Sequence, residues 1–256
     1  MMNLIDSHCH IDFPDFDQDR DVVLTNAKLL GVDKIIVPAI TYETWSRLLK
    51  VTRDNSQLEF ALGLHPVFLD QHKPEHLDKL IAAATQHKPI AIGEIGLDFY
   101  LKELDKPQQL FYFEQQLIIA KELNLPVIIH NRKAHDECIA LLTKYQLKGG
   151  VIHAFNGSLQ QANKYSELNF LLGFGGMLTY ERSRKLHVLL KAVPLTSIVL
   201  ETDAPDMTVE KHRGERNSPE YLPDILSKAA ILRTCSEQDL ADITNQNWKR
   251  VFATKD

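Results

Sequence analysis

The residue that could do the most chemistry is Glu94, in the run Ile92-Gly93-Glu94-Ile95-Gly96-Leu97-Asp98. An ionised carboxylate inside an apolar, glycine-flanked, strand-like segment is rare unless it is paired or binds a metal. Glu94 is therefore read as a bridge between two cations. His8 and His10 form a His-x-His pair. On a strand, residues i and i+2 share a face, so both imidazoles could reach one ion. His130 follows Val127-Ile128-Ile129, His153 follows Val151-Ile152, and Asp203 lies in Leu200-Glu201-Thr202-Asp203-Ala204-Pro205. Alone, His130 and His153 are more often hydrogen-bonded core histidines than ligands, and Asp203 could simply cap the next loop. As a set they make six metal ligands: His8, His10, Glu94, His130, His153 and Asp203. Imidazole suits zinc and similar first-row ions, and the carboxylates widen the choice to manganese and magnesium.

Such a set suits metal-assisted hydrolysis. Two cations roughly 3.5–4 Å apart can share a carboxylate, polarise a phosphoryl oxygen and lower the pKa of a water. Asp203 is the unshared carboxylate, free to orient the water and take its proton as general base, so Asp203 and Glu94 are assigned the catalytic roles. Asp98 and Glu201 are read as acceptors that hold the far N–H groups of the ligand imidazoles. His65, in Gly63-Leu64-His65-Pro66, is assigned to substrate contact, with a structural role as the alternative.

The elements that must position these residues are short apolar runs recurring eight times: 4–8, 34–40, 59–65, 90–97, 126–130, 149–155, 169–175 and 198–202. Most are followed by helical patterns with apolar residues near a 3.6-residue spacing, at 19–30, 44–51, 77–84, 108–123, 134–145, 158–168 and 183–193. Strands alternating with helices indicate βαβ units, and continuous apolar strands indicate a parallel sheet covered on both faces. Eight units in 256 residues predict an α/β TIM-type (β/α)8 barrel with the metal site at the C-terminal ends of the strands. A doubly wound open sheet is the alternative. Two more helical patterns, 219–232 and 236–252, are expected to form the eighth barrel helix and a C-terminal cover. No linker interrupts the chain, so residues 1–256 are expected to form one domain.

Hydrophobic residues make up 44% and charged residues 25%, a balance that excludes disordered and membrane-spanning classes. The N-terminus lacks a basic segment, which argues against a signal peptide. Three well-separated cysteines argue against a disulfide framework and for a cytoplasmic, reducing setting. The net charge of −5 is not that of a protein that coats nucleic acid, yet it does not exclude an enzyme acting on it. Arg182, Arg184 and Lys185 follow the seventh strand, and Lys211, Arg213 and Arg216 follow Asp203. A basic rim at a metal mouth suits a polyanion, and Arg213 and Arg216 are assigned to substrate binding. Phe99, Tyr100, Phe155 and Tyr180 could stack bases or simply pack.

Taken together, Asp6-Ser7-His8-Cys9-His10, Gly63-Leu64-His65-Pro66, Gly93 to Tyr100, Ile129-His130, His153-Ala154-Phe155 and Glu201 to Pro205 resemble the TatD family of metal-dependent deoxyribonucleases, within the amidohydrolase-like barrels. The resemblance spans nearly the whole chain and looks closest to the YjjV-like branch. It implies two divalent ions, one held by His8, His10, Glu94 and Asp203 and the other by Glu94, His130 and His153. It also implies cleavage of phosphodiesters in DNA from the 3′ end, on single strands or 3′ ends. Nothing in the chain calls for a membrane or an obligatory protein partner, and a monomer is expected. Two positions depart from the pattern. Ala154 stands where a cysteine is common, and Ser218 stands where Glu or Gln is common. Hydrolysis of a small ester, amide or lactone is the competing reading. A lysine at the end of the fourth strand would favour that reading, whereas Glu94 favours the nuclease. A non-enzymatic metal-bound module comes last, because structural zinc sites are closed and cysteine-rich.

Overall fold

The computed structural model describes residues 2–253, so the two ends of the expected 1–256 domain lie outside the described residues. Eight strands run β1 (Leu4–Asp6), β2 (Val32–Pro38), β3 (Leu58–Leu62), β4 (Ala91–Asp98), β5 (Val127–Arg132), β6 (Gly150–Ile152), β7 (Phe170–Phe174) and β8 (Ile198–Leu200). They pair in sequence order, every neighbouring pair parallel. That order excludes a doubly wound sheet, whose strand sequence must reverse at a switch point. The helices between them are α1 (Arg20–Leu29), α2 (Trp45–Thr52), α3 (Glu75–His87), α4 (Lys106–Glu122), α5 (His135–Tyr145), α6 (Leu159–Glu167) and α7 (Arg184–Ala192), followed by α8 (Leu222–Arg233) and α9 (Glu237–Phe252).

The barrel closes without a regular ladder between β8 and β1. The seam is stitched where the two strands end. Ser7 N–H donates to the Leu200 carbonyl at 3.0 Å, Asp203 N–H to the His8 carbonyl at 2.8 Å, and His10 N–H to the Ala204 carbonyl at 2.8 Å. The buried Asp6 carboxylate adds two bonds, from Thr202 N–H at 2.9 Å and Thr202 Oγ1 at 2.5 Å.

Two apolar cores follow from strands covered on both faces. One lies between strands and helices. The other fills the barrel lumen with Ile36, Ala61, Ala91, Ile128, Val151, Leu171 and Val199, and against it pack Trp248, Val251 and Phe252 of α9. Fully burying each such large side chain contributes about 1.5–3 kcal/mol. Asn247 of α9 donates to the carbonyls of Leu195 and Ile198, and Asn245 to that of Asn3, so α9 seals the end of the barrel where the strands begin. Ser236 caps α9 by accepting the Asp239 N–H at 3.0 Å. The opposite end, where the strands finish, stays open for a site.

Candidate metal centre

The His-x-His pair does not lie on a strand. β1 stops at Asp6, and His8 and His10 converge from the loop beyond it. Their convergence has a different cause from strand alternation. Cys9 N–H is held by the Ile36 carbonyl at 3.0 Å, and His10 by the seam bond to Ala204. The following turn is pinned by Arg20 Nε on the Ile11 carbonyl at 2.8 Å and Arg47 Nε on the Asp12 carbonyl at 2.5 Å. The result brings His8 Nε2 within 3.2 Å of His10 Nε2.

Glu94 sits at the centre, 1% exposed, and its two oxygens face different neighbours. Oε2 lies 3.2 Å from His8 Nε2 and 3.6 Å from His10 Nε2. Oε1 lies 3.2 Å from His65 Nε2, 3.3 Å from His130 Nδ1 and 3.3 Å from His153 Nε2. Asp203 Oδ1 completes the first side, 3.6 Å from His8 Nε2 and 3.9 Å from His10 Nε2. Potential ligand atoms come within 4.8 Å of one another in three sets: His8, Glu94 and His153; His8, His10 and Asp203; His65, Glu94 and His130.

These residues fit a divalent cation. Glu94 Oε1 is surrounded by three imidazole nitrogens yet has no hydrogen-bond partner among the described residues. A buried carboxylate oxygen left so is costly unless a cation shares the space with it. The imidazoles differ in what they can offer. His130 Nε2 lies 3.0 Å from Asp98 Oδ2, so its proton sits there and Nδ1 keeps a lone pair toward Glu94. Asp98 is held in turn by the N–H groups of Tyr100 (3.0 Å) and Leu101 (3.3 Å). His153 Nδ1 is 3.5 Å from Glu201 Oε1 without hydrogen-bond alignment, and Glu201 Oε1 accepts the Ala154 N–H at 2.5 Å. Gly173 makes room for Glu201, because a Cβ there would lie 2.1 Å from Glu201 Oε2. His65 is different again. Its Nδ1 accepts the Val67 N–H at 3.1 Å, so the neutral ring carries its proton on Nε2, the atom facing Glu94. That nitrogen is a hydrogen-bond donor and has no lone pair for a metal.

Without metal the cluster holds protons unevenly. Burial lowers His10 to about 3 and His65 to about 4, where both are neutral. Burial acts on His8 in the same sense, but Glu94 beside it outweighs burial and raises His8 to about 9. Burial is likewise outweighed at His130, by Asp98 and Glu94, and the ring rises to about 9. Metal ligands must be deprotonated, so a cation has to displace the protons on His8 and His130. Metal affinity should therefore rise with pH through the neutral range and weaken as pH falls. Calorimetric titration with Zn2+ at pH 7, in buffers of different ionisation enthalpy, should register release of about two protons per chain. No release would contradict the assignment.

The basic residues after β8 are placed less simply. Arg216 donates from its two terminal guanidinium nitrogens to Asp19 (2.9 and 2.7 Å), donates to the Asp15 carbonyl at 2.6 Å, and lies over the Phe16 ring. Arg213 is exposed and makes no ion pair among the described residues. Ser218 is buried with its hydroxyl on Glu220 Oε2 at 2.6 Å. Of the four aromatics near the mouth, Phe99, Phe155 and Tyr180 are buried and Tyr100 is 52% exposed.

Two further positioning residues stand outside the sequence motifs. Gln109 brackets the Asp98 peptide, accepting its N–H at 2.7 Å and donating to its carbonyl at 3.1 Å. Gln116 does the same for Leu64, which precedes His65, at 2.7 and 3.1 Å. The two lie two turns apart on the buried face of α4. A stripe of that kind interrupted twice by glutamine was the available signal.

The TatD-related DNase family model matches residues 5–253. The chain belongs to the TatD-related DNase family. It is 38% identical over 251 residues to the uncharacterized metal-dependent hydrolase YjjV of Escherichia coli K12, covering 97% of both chains. The crystal structure of that YjjV superposes with a TM-score of 0.94 over 98% of both chains. A further relative, named the 3′-5′ ssDNA/RNA exonuclease TatD of Salmonella typhimurium, is 34% identical over 245 residues, with 93% of this chain and 94% of that protein covered. The coarse function follows: a metal-dependent hydrolase of the TatD family, on an amidohydrolase-like barrel.

Proposed function

We propose that this TatD-family member hydrolyses phosphodiester bonds in DNA, removing nucleotides from the 3′ end, with two divalent cations (zinc, magnesium or manganese) bridged by Glu94. The observation that carries this reading is the two-sided carboxylate: one oxygen toward His8 and His10, the other toward His130 and His153. The ligands of the first cation would be His8, His10, Glu94 and Asp203, and those of the second Glu94, His130 and His153. Cations held there would polarise a phosphoryl oxygen and lower the pKa of a water.

The chain's own groups then divide the remaining work. Asp203 Oδ1 faces the histidines, while Oδ2 has no hydrogen bond among the described residues and is the atom placed to take a proton. Without metal, burial raises the Asp203 carboxyl to about 6 against the pull of His153 and His8, and a cation beside it would lower it again and keep it ionised, as a general base must be. Its backbone is left-handed (φ 58°), a conformation that Asp tolerates better than most residues, and the seam bond to His8 holds it there. Asp98 orients His130 through its Nε2 proton, and Glu201 places its charge 3.5 Å from His153 Nδ1. His65 offers its Nε2 proton to Glu94 or to a substrate oxygen, and exposed Arg213 offers charge to the phosphate backbone. Arg216 can add to that field only while clamped to Asp19.

The relative named an exonuclease on single-stranded DNA and RNA supports a nucleic-acid substrate. No described helix is long and apolar enough to cross a membrane. We place the protein in the cytoplasm, acting as a monomer without an obligatory partner; its cysteines, Cys9, Cys138 and Cys235, are all free, which fits a reducing compartment.

The test is degradation of 3′-labelled and 5′-labelled single-stranded DNA with added magnesium, manganese or zinc. Stepwise loss from the 3′ end is the expected result. No cleavage in any metal would move the substrate to a small ester, amide or lactone.

A further inference from the structure

Beside the metal centre, a cleft of about 980 Å3 opens between the loops that follow β5, β6 and β7, with His130, His153 and Asp203 at its inner end. Its charge is one-sided. Arg132, Arg182, Arg184 and Lys185 line it, and Asp203 is the one acidic residue along its wall among the described residues. None of the four cations has a carboxylate partner among the described residues, unlike Arg216 on the opposite flank. This concentration belongs to a chain whose net charge is −5. Arg132 lies 3.7 Å over the exposed Tyr100 ring, which leaves its N–H edge free for an anion.

One further feature distinguishes the cleft from a generic basic patch. Part of its wall is apolar and yielding, from Met177 and Leu186, which suits the face of a base without selecting which base.

We infer that this cleft holds the nucleotides adjoining the scissile bond of a single-stranded nucleic acid, the cations reading backbone phosphates and the apolar wall receiving a base. The inference rests on the nuclease reading above. It locates the substrate strand on the β5–β7 side of the mouth and away from Arg216. It also makes the enzyme length-dependent, since a substrate with no second phosphate leaves the cleft empty.

The experiment compares the wild type with the triple variant Arg182→Gln, Arg184→Gln, Lys185→Gln, all three exposed positions. Two substrates are used: the oligonucleotide dT5 and the small diester bis(p-nitrophenyl) phosphate. Binding of fluorescein-labelled dT5 is followed by anisotropy across a salt series. For dT5 the variant should raise KM about tenfold or more, and its salt slope should flatten by about 2, near 0.7 for each phosphate no longer neutralised. The loss on the small diester should be at least tenfold smaller. A wild type that cleaves dT5, with a variant matching it in KM and salt slope, would overturn the cleft assignment and leave the nuclease reading standing. Equal losses on both substrates would also overturn it. A wild type that neither binds nor cleaves dT5 would remove both readings together.

Discussion

Replacing Glu94 by Gln should abolish hydrolysis and strip the protein of most of its metal while leaving the barrel folded. The substitution keeps the side-chain shape inside a site that is 1% exposed, so packing in the β4 strand is retained. What changes is charge. Burial alone would push the Glu94 carboxyl up, but His65, His8 and His153 around it hold it well below the usual range, so wild type presents an anion to both sides of the site. An amide presents none and offers a donor on one side, where a cation would sit. Metal polarisation of the reacting group is worth several kcal/mol, and each 1.4 kcal/mol is about tenfold in rate, so kcat should fall by roughly 10³ or more. Stability in chelator should fall, because the buried His8 and His130 rings lose the counter-charge that raises them. Metal analysis, steady-state rates and thermal melting in EDTA check the three parts. Wild-type occupancy together with wild-type rate would exclude Glu94 as the bridge.

Asp203→Asn should separate turnover from binding. The amide preserves the size of the side chain, but it cannot accept the proton of the attacking water. Loss of a positioned general base lowers kcat by roughly 10²–10⁴. KM should change little, since Asp203 lies at the inner end of the cleft and the cations lining the cleft are untouched. At low pH both proteins should lose rate as protons compete with metal at His8 and His130, while the proton uptake at Asp203 that adds to this loss in the wild type is absent from the variant. Near-normal kcat would assign the base to another residue.

The barrel was readable because parallel strands covered on both faces leave continuous apolar runs, as in β4, where every residue is buried. The candidate ligands were readable because imidazole and carboxylate stood at the ends of such runs. How they meet was not. The His8 and His10 pair was expected on a strand face, and it is held instead by seam bonds to residues near position 200, a pairing no local pattern encodes. Arg216 illustrates the same limit. Its type and loop suggested a phosphate contact, but Asp19, almost two hundred residues earlier, binds both of its terminal nitrogens. Gln109 and Gln116 were passed over because a polar residue within an apolar helical stripe gives no sign of which backbone it will bracket. Residue chemistry was local information, and partnership was a property of the closed barrel.

The proposed bridging of two cations by Glu94 is tested most directly by electron paramagnetic resonance of the protein loaded with Mn2+, beside the Glu94→Gln variant. Two manganese ions sharing the Glu94 carboxylate predict a spin-coupled signal at two equivalents per chain, absent from the variant. An isolated, uncoupled Mn2+ signal saturating at one equivalent in the wild type would contradict the account.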